Sequence, residues 1–258
     1  KNFTWSSTFG LSHNKNTIKH LYYRYEDVLN EVGEVVGSKE VDDVNRGWFV
    51  GKDISAIWDH EFIGIWQEDE AEEAAKYGQQ PGDAKVRDVN GDYKITQEDK
   101  VFLGQETPKF RWSFRNEFTL FRNWDISLNL YSQMGHKQST TEYLNFFDNL
   151  GDYSNTYKRE YWTPENKSNS YARLKSTRPS NINPKKVINK GFIRLENISV
   201  SYRVPQQFAR KLMAKEISIY GTVRNVAVWA FDKEWDYWDP ETKGLLPRTF
   251  TFGASITF

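Results

Sequence analysis

The chain has 258 residues, with 35 basic and 35 acidic side chains, no cysteine and a mean hydropathy of -0.76. The absence of cysteine excludes disulfides, thiolate metal sites and cysteine nucleophiles, and the zero net charge argues against nucleic acid as a partner because no basic excess can displace counterions. No stretch approaches the roughly 18 consecutive apolar residues that a membrane helix requires, so spanning by a helix is excluded.

Aromatic residues make up 16% of the chain, which is high for so polar a sequence. Two interpretations are open on composition alone. Aromatic rings form girdles at both bilayer interfaces of transmembrane β-barrels, whose strands are half polar and therefore have a low mean hydropathy. Rings also fill the core and the binding face of soluble carbohydrate-binding β domains.

Alternation of apolar and polar side chains predicts strands along the whole chain. It is clear in residues 3–11, 109–121, 124–131, 197–204, 217–224 and 249–258. Residues 54–66 are also β-rich, but apolar side chains occupy both parities there. The count is therefore about seven strands, and residues 122–123 predict a tight hairpin turn between two of them.

The closing strand separates its two faces most completely. One parity is wholly apolar, and it consists of Phe250, Phe252, Ala254, Ile256 and Phe258. The other parity is small or polar throughout. A strand of a transmembrane barrel needs this division, with one face toward lipid and the other toward a wet lumen.

The connections between these strands differ in length. Residues 122–123 and 205–215 are short, whereas 67–108, 137–191 and 225–247 are long and polar. Short turns at one end and long outer loops at the other are typical of outer-membrane barrels. Residues 13–47 fit this rule poorly, because they predict a long connection at the inner end. Residues 68–77 predict a short helix that begins with acidic side chains and is followed by Gly78.

Residues 88–99 match the spacing of a twelve-residue calcium loop. The oxygen-bearing positions are Asp88, Asn90, Asp92, Lys94 through its carbonyl, Thr96 and Asp99. Two residues depart from the pattern, since Tyr93 replaces the usual glycine and Asp99 the usual glutamate. Two hypotheses are open: a structural calcium ion, or a metal-free turn held by Asx hydrogen bonds.

Aromatic residues are also dense near the last long connection. Trp229, Trp235, Tyr237 and Trp238 are candidate contacts for a ligand or a partner, because rings stack on sugars and anchor interfaces. No arrangement of histidines, carboxylates or glycines indicates a catalytic site. The sequence therefore predicts a protein that is not an enzyme.

Several motifs, in order, resemble the C-terminal third of SusC/RagA-type TonB-dependent transporters. They are the runs at 79–83 and 88–92, Leu103-Gly104, 107–110, 161–166, 192–202, Arg224-Asn225, 239–241 and 247–253. The resemblance covers nearly the whole chain. Thr251, Gly253, Ile256 and Phe258 also resemble the terminal signal that is read by the barrel-assembly machinery.

The resemblance implies an all-β fold: residues 1–258 would be about seven C-terminal strands of an antiparallel transmembrane β-barrel of about 22 strands. The complete transporter would import oligosaccharides or peptides across the bacterial outer membrane with a SusD-like lipoprotein, powered by TonB. The plug and the TonB-binding region are expected outside these residues, since the chain begins in a strand pattern without a signal peptide.

The polar strand faces would line the lumen; they carry Arg111, Arg115, Glu117, Asp125, Asn129, Arg203 and Arg224. Lipid of the outer membrane would contact the apolar faces. The alternative from a different class is a soluble, calcium-dependent carbohydrate-binding β domain. A secreted β-rich glycoside hydrolase is a further alternative, because carboxylates are abundant.

Overall fold

The computed structural model describes residues 2–140, 160–235 and 238–258. Within them the chain forms fourteen β-strands and two short α-helices, α1 (Ala71–Lys76) and α2 (Gln206–Lys211). The strands are β1 (Phe3–His13), β2 (Tyr25–Leu29), β3 (Val35–Glu40), β4 (Ala56–His60), β5 (Phe62–Ile65), β6 (Ala84–Val86), β7 (Lys100–Gln105), β8 (Phe110–Leu120), β9 (Trp124–Met134), β10 (Lys137–Thr140), β11 (Lys186–Asn189), β12 (Phe192–Arg203), β13 (Glu216–Ala230) and β14 (Thr249–Thr257). No helix among the described residues is long and apolar enough to cross a membrane.

Two compact units can be distinguished. The sheet unit comprises Lys1–Lys15, Thr107–His136 and Asn189–Phe258, and the connection unit comprises Asn16–Glu106 and Lys137–Ile188. The chain leaves the sheet unit twice and returns to it twice, so each unit is assembled from segments that are distant in sequence.

The sheet unit contains one six-stranded sheet in the order β1-β8-β9-β12-β13-β14. Every neighbouring pair is antiparallel. The six segments with clear alternation all lie in this sheet, as predicted. The tight turn between β8 and β9 is one residue longer than predicted, because Leu120 pairs with Trp124 and leaves residues 121–123 between them. Phe121 and Arg122 both have positive φ there, which suits a tight hairpin turn.

The seventh predicted strand is not part of this sheet, and the predicted count of about seven strands is not confirmed. Residues 54–66 divide into β4, which pairs with β7, and β5, which pairs with β6, in two separate two-stranded sheets. The side chains of Ile57, Ile65 and Trp66 are buried. Apolar side chains on both parities of 54–66 therefore reflect burial inside the connection unit.

The register of the six strands sorts their side chains onto two opposite faces. Directly paired residues lie on the same face, and successive residues lie on opposite faces. One row of the apolar face runs across all six strands as Trp5, Phe118, Ile126, Val200, Gly221 and Phe252. The row beside it on the polar face is Ser6, Glu117, Ser127, Ser199, Thr222 and Thr251. The faces predicted from each strand separately therefore coincide across the sheet.

All long connections leave and re-enter the sheet at the same end. The chain leaves β1 at His13, beside the start of β8 at Phe110, so residues 14–109 form a single connection there. Residues 135–191 and 231–248 join strands at that same end, whereas 121–123 and 204–215 join strands at the other. The predicted inner connection at 13–47 is thus wrong, because 54–66 does not cross the sheet. The predicted loop at 225–247 is shorter, since β13 continues to Ala230.

The connection unit has its own small core. Ile65, Ala84, Trp162 and Ala172 form a buried apolar cluster with Phe62 and Tyr171 packed against it. The predicted helix at 68–77 is present as a turn of 3-10 helix, Glu68–Glu70, followed by α1. Two long connections, which the sequence pattern treats as separate loops, therefore share one hydrophobic cluster.

Asp83 joins these two connections through a buried carboxylate. Its Oδ1 atom accepts hydrogen bonds from Arg173 Nε at 2.8 Å and from the backbone N–H of Thr177 at 2.7 Å. Its Oδ2 atom accepts from the N–H of Gln80 at 3.0 Å. The neighbouring Gly82 has φ +89° and no room for a Cβ atom, because Trp162 and Arg173 lie against its backbone. The run at 79–83 is therefore one of the points at which residues 160–188 attach.

We expect Asp83→Ala to release residues 160–188 from the rest of the connection unit. The substitution leaves Arg173 and two backbone N–H groups without their acceptor, and breaking a buried ion pair by removing one partner costs about 3–5 kcal/mol. Limited proteolysis of residues 160–188 measures the release. The control is Glu73→Ala, which removes an exposed pair with Lys76 that contributes about 0–1 kcal/mol. Equal cleavage of the two variants would contradict the expectation.

Candidate functional site

The polar face of the sheet carries the seven side chains that the sequence assigns to a lumen. Arg111, Arg115, Glu117, Asp125, Asn129, Arg203 and Arg224 all lie on this face in the observed register. Several of them pair with one another: Arg115 contacts Glu117 at 2.6 Å, and Arg203 contacts Asp125 at 2.8 Å. Arg111 forms no ion pair with any residue in the part of the chain that the structure describes. The face therefore presents alternating charges, most of them neutralised locally.

A buried arginine lies on this polar face near the end with the long connections. Arg194 of β12 is 2% exposed. Its Nη2 atom donates to Asp239 Oδ2 at 2.6 Å, and its Nη1 atom donates to Asn225 Oδ1 at 2.6 Å. Its guanidinium also lies 5.2 Å from the centre of the Phe192 ring. We call Arg194, Asn225, Asp239 and Glu241 the arginine cluster.

Glu241 extends the arginine cluster across the sheet. Its carboxylate accepts hydrogen bonds from the hydroxyl of Tyr131 at 2.6 Å and from Gln133 Nε2 at 3.0 Å, and it lies 3.5 Å from Arg194 Nη2. Tyr131 and Gln133 belong to β9, so the cluster connects residues 239–241 to three adjacent strands. It fixes the last long connection to the polar face.

The arginine cluster unites three of the motifs that carry the family resemblance, at 192–202, 224–225 and 239–241. Sequence reasoning did not select these residues as a site. The sequence contains an arginine among alternating strand residues and, far along the chain, the run Asp-Pro-Glu. No fixed spacing relates the two, so the sequence does not indicate that they meet. A β-bulge between Leu195 and Asn197 also shifts the parity of β12 next to Arg194. Only the paired strands show which face the arginine occupies.

The predicted aromatic contacts do not form one group. Trp229 pairs with Ile193 on the apolar face of the sheet. Trp235 ends a 3-10 turn, Lys233–Trp235, and its indole N–H donates to the carbonyl of Asn189 at 2.7 Å. Trp235 and Trp238 line a cavity of about 310 Å³, which Trp229 does not reach. Tyr237 lies outside the described residues. Contact with a ligand or partner stays a prediction for all four.

The calcium-like loop is closed by its own hydrogen bonds. Asp88 accepts from the N–H groups of Gly91 at 2.7 Å and Tyr93 at 2.9 Å, and Asp92 accepts from Lys94 at 2.8 Å. Burial works to raise the pKa of Asp88, but hydrogen bonds from the N–H groups of Gly91 and Tyr93 and from the hydroxyl of Tyr77 outweigh it and hold that pKa below its ordinary value. Asn90 accepts from Asp92 in the same manner.

Asp99, at position 12 of this loop, is fully buried. Its two carboxylate oxygens accept from the N–H groups of Val89 at 2.8 Å and Thr96 at 2.7 Å. No group of three or more histidine or acidic side chains in the described residues is arranged to hold a metal. The side-chain oxygens of this loop accept backbone hydrogen bonds, as the Asx-turn hypothesis expects. Under the calcium hypothesis the ion would bind these same oxygens and the carbonyl of Lys94. Both hypotheses stay predictions.

The predicted assembly signal falls on both faces of β14. Thr251 and Gly253 lie on the polar face, opposite Thr222 and Tyr220, and Ile256 lies on the apolar face opposite Ile217. Phe258 follows the strand and is exposed. A Cβ atom on Gly253 would collide with the phenol ring of Tyr220. Gly253 thus has a local packing role, and recognition by an assembly machinery stays a prediction.

Comparison with known proteins identifies relatives over the whole chain. No protein-family model matches it. Two curated proteins of Formosa agariphila are similar: TonB-dependent receptor P26 with 27% identity and TonB-dependent receptor P3 with 23% identity, each over 100% of this chain. The chain spans 27% of the length of each of them.

Solved structures show the same fold. The RagAB peptide importer in its open-open state matches with a TM-score of 0.62, and in its closed-closed state with 0.65, both with 15% identity over 100% of this chain. The chain covers 27% and 28% of the matched chains, respectively. These comparisons confirm that the chain is similar to a portion of SusC/RagA-type TonB-dependent transporters.

We expect Asp239→Ala to detach residues 231–248 from the sheet. Arg194 would then lose the nearer of its two carboxylate partners, and removal of one partner from a buried ion pair costs about 3–5 kcal/mol. The control is Asp125→Ala, which breaks the pair of Asp125 with Arg203; both side chains are more than 40% exposed, and such a pair contributes about 0–1 kcal/mol. Protease cleavage within 231–248, measured on the detergent-solubilised full-length protein, should rise only for Asp239→Ala. A rise of equal size in both variants would show that the arginine cluster does not hold this connection.

We expect the double substitution Asp88→Ala and Asp92→Ala to loosen residues 80–108, because it removes the acceptors for Gly91, Tyr93 and Lys94. Proteolysis of this segment measures the effect, with Glu72→Ala as the control for loss of one exposed carboxylate. Calcium and a chelator separate the two hypotheses in the unsubstituted protein. Protection that depends on calcium supports a bound ion, and cleavage that is equal under both conditions supports the metal-free turn.

Proposed function

We propose that this chain is the C-terminal barrel portion of a TonB-dependent nutrient importer in the bacterial outer membrane, and that it is not an enzyme. The observation that carries the proposal is the exposed apolar face of the six-stranded sheet. Phe252 is 81% exposed, and Phe3, Trp5, Phe9, Leu11, Phe250 and Ile256 are each more than half exposed on that face. Contiguous apolar surfaces of this kind mark contact with lipid or with a partner.

The composition of this face favours lipid as the contact. Within the observed register it contains rows of aromatic and branched aliphatic side chains, and two of its polar contacts are made within the sheet. Trp5 Nε1 donates to Asn116 Oδ1 at 3.0 Å, and Ser132 Oγ donates to the carbonyl of Phe192 at 2.6 Å. Hydrocarbon offers no hydrogen bonds, so polar groups that face it must be paired internally. The opposite face, with its charged pairs, suits a wet lumen.

The cargo and partners follow from the similarity and belong to the complete protein. The relatives are named as TonB-dependent receptors and as a peptide importer. We therefore infer import of oligosaccharides or peptides, energised by TonB through a region outside this chain, together with a SusD-like lipoprotein at the cell surface. The side chains on the polar face would contact the cargo during passage, and the long connections would face the cell surface. We propose no enzymatic activity for this chain.

Fractionation of cells that express the full-length protein tests the proposal directly. We expect recovery in the outer-membrane fraction and release only by detergent. Recovery in the soluble fraction without detergent would overturn the transporter and would favour the soluble, calcium-dependent carbohydrate-binding domain.

A pair of neighbouring substitutions tests which face meets lipid. Phe114 lies on the apolar face of β8, and Ser113 lies beside it on the polar face. We expect Phe114→Lys to reduce the folded protein in the outer membrane, because a lysine on the lipid side near the bilayer centre costs about 2–4 kcal/mol. Ser113→Lys should leave the folded amount near that of the unsubstituted protein. Similar yields for both variants would contradict the assignment of the faces.

A further inference from the structure

The connection between β12 and β13 folds back onto one face of the sheet. Residues 204–215, which we name the 204–215 turn, contain α2 and belong to the sheet unit. Ala209 and Ala214 are buried against Ile217 of β13. Ile217 lies on the apolar face, where it pairs with Ile256 of β14. The 204–215 turn therefore packs on the apolar side of the sheet, at the end opposite the long connections.

Two aromatic side chains lie near this end of the apolar face. Trp124 of β9 pairs with Tyr202 of β12, and their ring centres are 4.7 Å apart. Tyr202 also pairs with Ile219 of β13, and Ile217 follows on the same face, one row nearer the end of the sheet. Tryptophan and tyrosine of transmembrane strands gather at the level of the lipid headgroups. Under the proposed function, the 204–215 turn therefore lies at headgroup level on the lipid side of the sheet.

The outer surface of this turn is apolar. Met213 is 87% exposed, and Phe208 and Leu212 are at least half exposed. Met213 also has φ +58°, and it ends α2 where the N–H of Ala214 donates to the carbonyl of Ala209 at 3.1 Å. Glycine is the usual residue in this left-handed position after a helix, because it has no Cβ atom. The turn thus has a large apolar side chain where the backbone favours none.

Basic side chains accompany these apolar groups. The 204–215 turn contains Arg210, Lys211 and Lys215 and no acidic residue. None of the three forms an ion pair with a residue that the structure describes, and Lys211 Nζ lies 5.7 Å from the centre of the Phe208 ring. Exposed apolar groups beside uncompensated positive charge are typical of segments that lie in a membrane interface. Their cations are attracted to anionic lipid.

The position of the turn in the sheet favours lipid over a protein as its contact. β12 is flanked by β9 and β13, and β13 is flanked by β12 and β14. No strand from outside these residues can therefore pair next to the turn. The apolar face that continues from it along β12 and β13 is the face assigned to hydrocarbon. The exposed apolar side chains of the turn extend that same surface.

We propose that the 204–215 turn is an anchor in the membrane interface and that it binds anionic phospholipid headgroups of the periplasmic leaflet. Its three exposed apolar side chains lie among the acyl chains, and its three basic side chains contact the lipid phosphates. The inference rests on the proposed function, which assigns the long connections to the cell surface and this turn to the opposite side. It goes beyond that function, because a barrel can span a membrane without a headgroup site.

Spin labels on a cysteine-free form of the full-length protein test the anchor in vesicles of phosphatidylethanolamine and phosphatidylglycerol. The label is attached at Met213→Cys and, as the matched control, at Glu216→Cys. Glu216 is exposed at the same end of the sheet but lies on the polar face. We expect oxygen, which concentrates in lipid, to relax the label at 213 more strongly than a water-soluble nickel chelate does, and the reverse at 216. Equal access of the chelate to both labels would overturn the proposal.

A third label, at Phe114→Cys, separates failure of the anchor from failure of the proposed function. Phe114 lies on the apolar face of β8 and is expected in hydrocarbon. A label in lipid at 114 with a label in water at 213 would overturn the anchor alone, whereas water at both positions would overturn the transporter portion. The vesicles contain no other protein. A label at 213 that is shielded in isolated outer membranes but reaches water in these vesicles would indicate a protein partner and would refute the anchor.

Removal of the positive charge tests the headgroup contact. We expect Arg210→Gln with Lys211→Gln and Lys215→Gln to reduce the phosphatidylglycerol retained by the detergent-extracted full-length protein about tenfold, because each basic side chain near the surface attracts anionic lipid. Lipid mass spectrometry measures the retained amount. The control removes the same charge from exposed positions in the long connections, with Lys15→Gln, Lys94→Gln and Lys243→Gln. Unchanged retention in the first variant, or equal loss in both, would contradict the headgroup contact.

Discussion

The alternation of side chains across six paired strands is the constraint on which the rest of the molecule depends. Each strand on its own separates apolar from polar residues, but a common register is needed to place Trp5, Phe118 and Phe252 on the same face. A slip of one residue in any pair would move an entire strand's apolar set to the opposite face. The sheet therefore presents one apolar and one polar face only because all five pairings agree.

Each strand of the antiparallel sheet reverses the direction of the chain. The number of strands in the sheet therefore decides at which end of it each connection lies. Because residues 54–66 pair within the connection unit, the chain between His13 and Phe110 stays at one end. The long connection that the sequence pattern predicts at the inner end, residues 13–47, is therefore not formed. The same arrangement explains how segments from two separate connections meet and share the buried carboxylate of Asp83.

Ion pairs of two kinds occur in the sheet unit. Those on the open polar face, such as Arg203 with Asp125, are exposed and contribute little to stability. The pair of Arg194 with Asp239 is buried, and its value lies in fixing one arrangement of residues 239–241 against three strands. Asn225 of β13 accepts a hydrogen bond from Arg194, and its backbone has a positive φ beside the bulge. A polar face can thus carry exposed ion pairs along most of its length and still hold one connection firmly.

Sequence alone determined the six strands of the sheet, the division of each strand into two faces, the short helix before Gly78 and the likeness to a transporter family. These features are local, since periodicity, capping and motif order are readable along the chain. Tertiary structure decided that residues 54–66 leave the sheet, that three distant motifs meet at Arg194, and that Trp229 is separated from Trp235 and Trp238. Each of these depends on which strands pair and on bulges that shift parity, and pairing between distant segments leaves no periodic trace in the sequence.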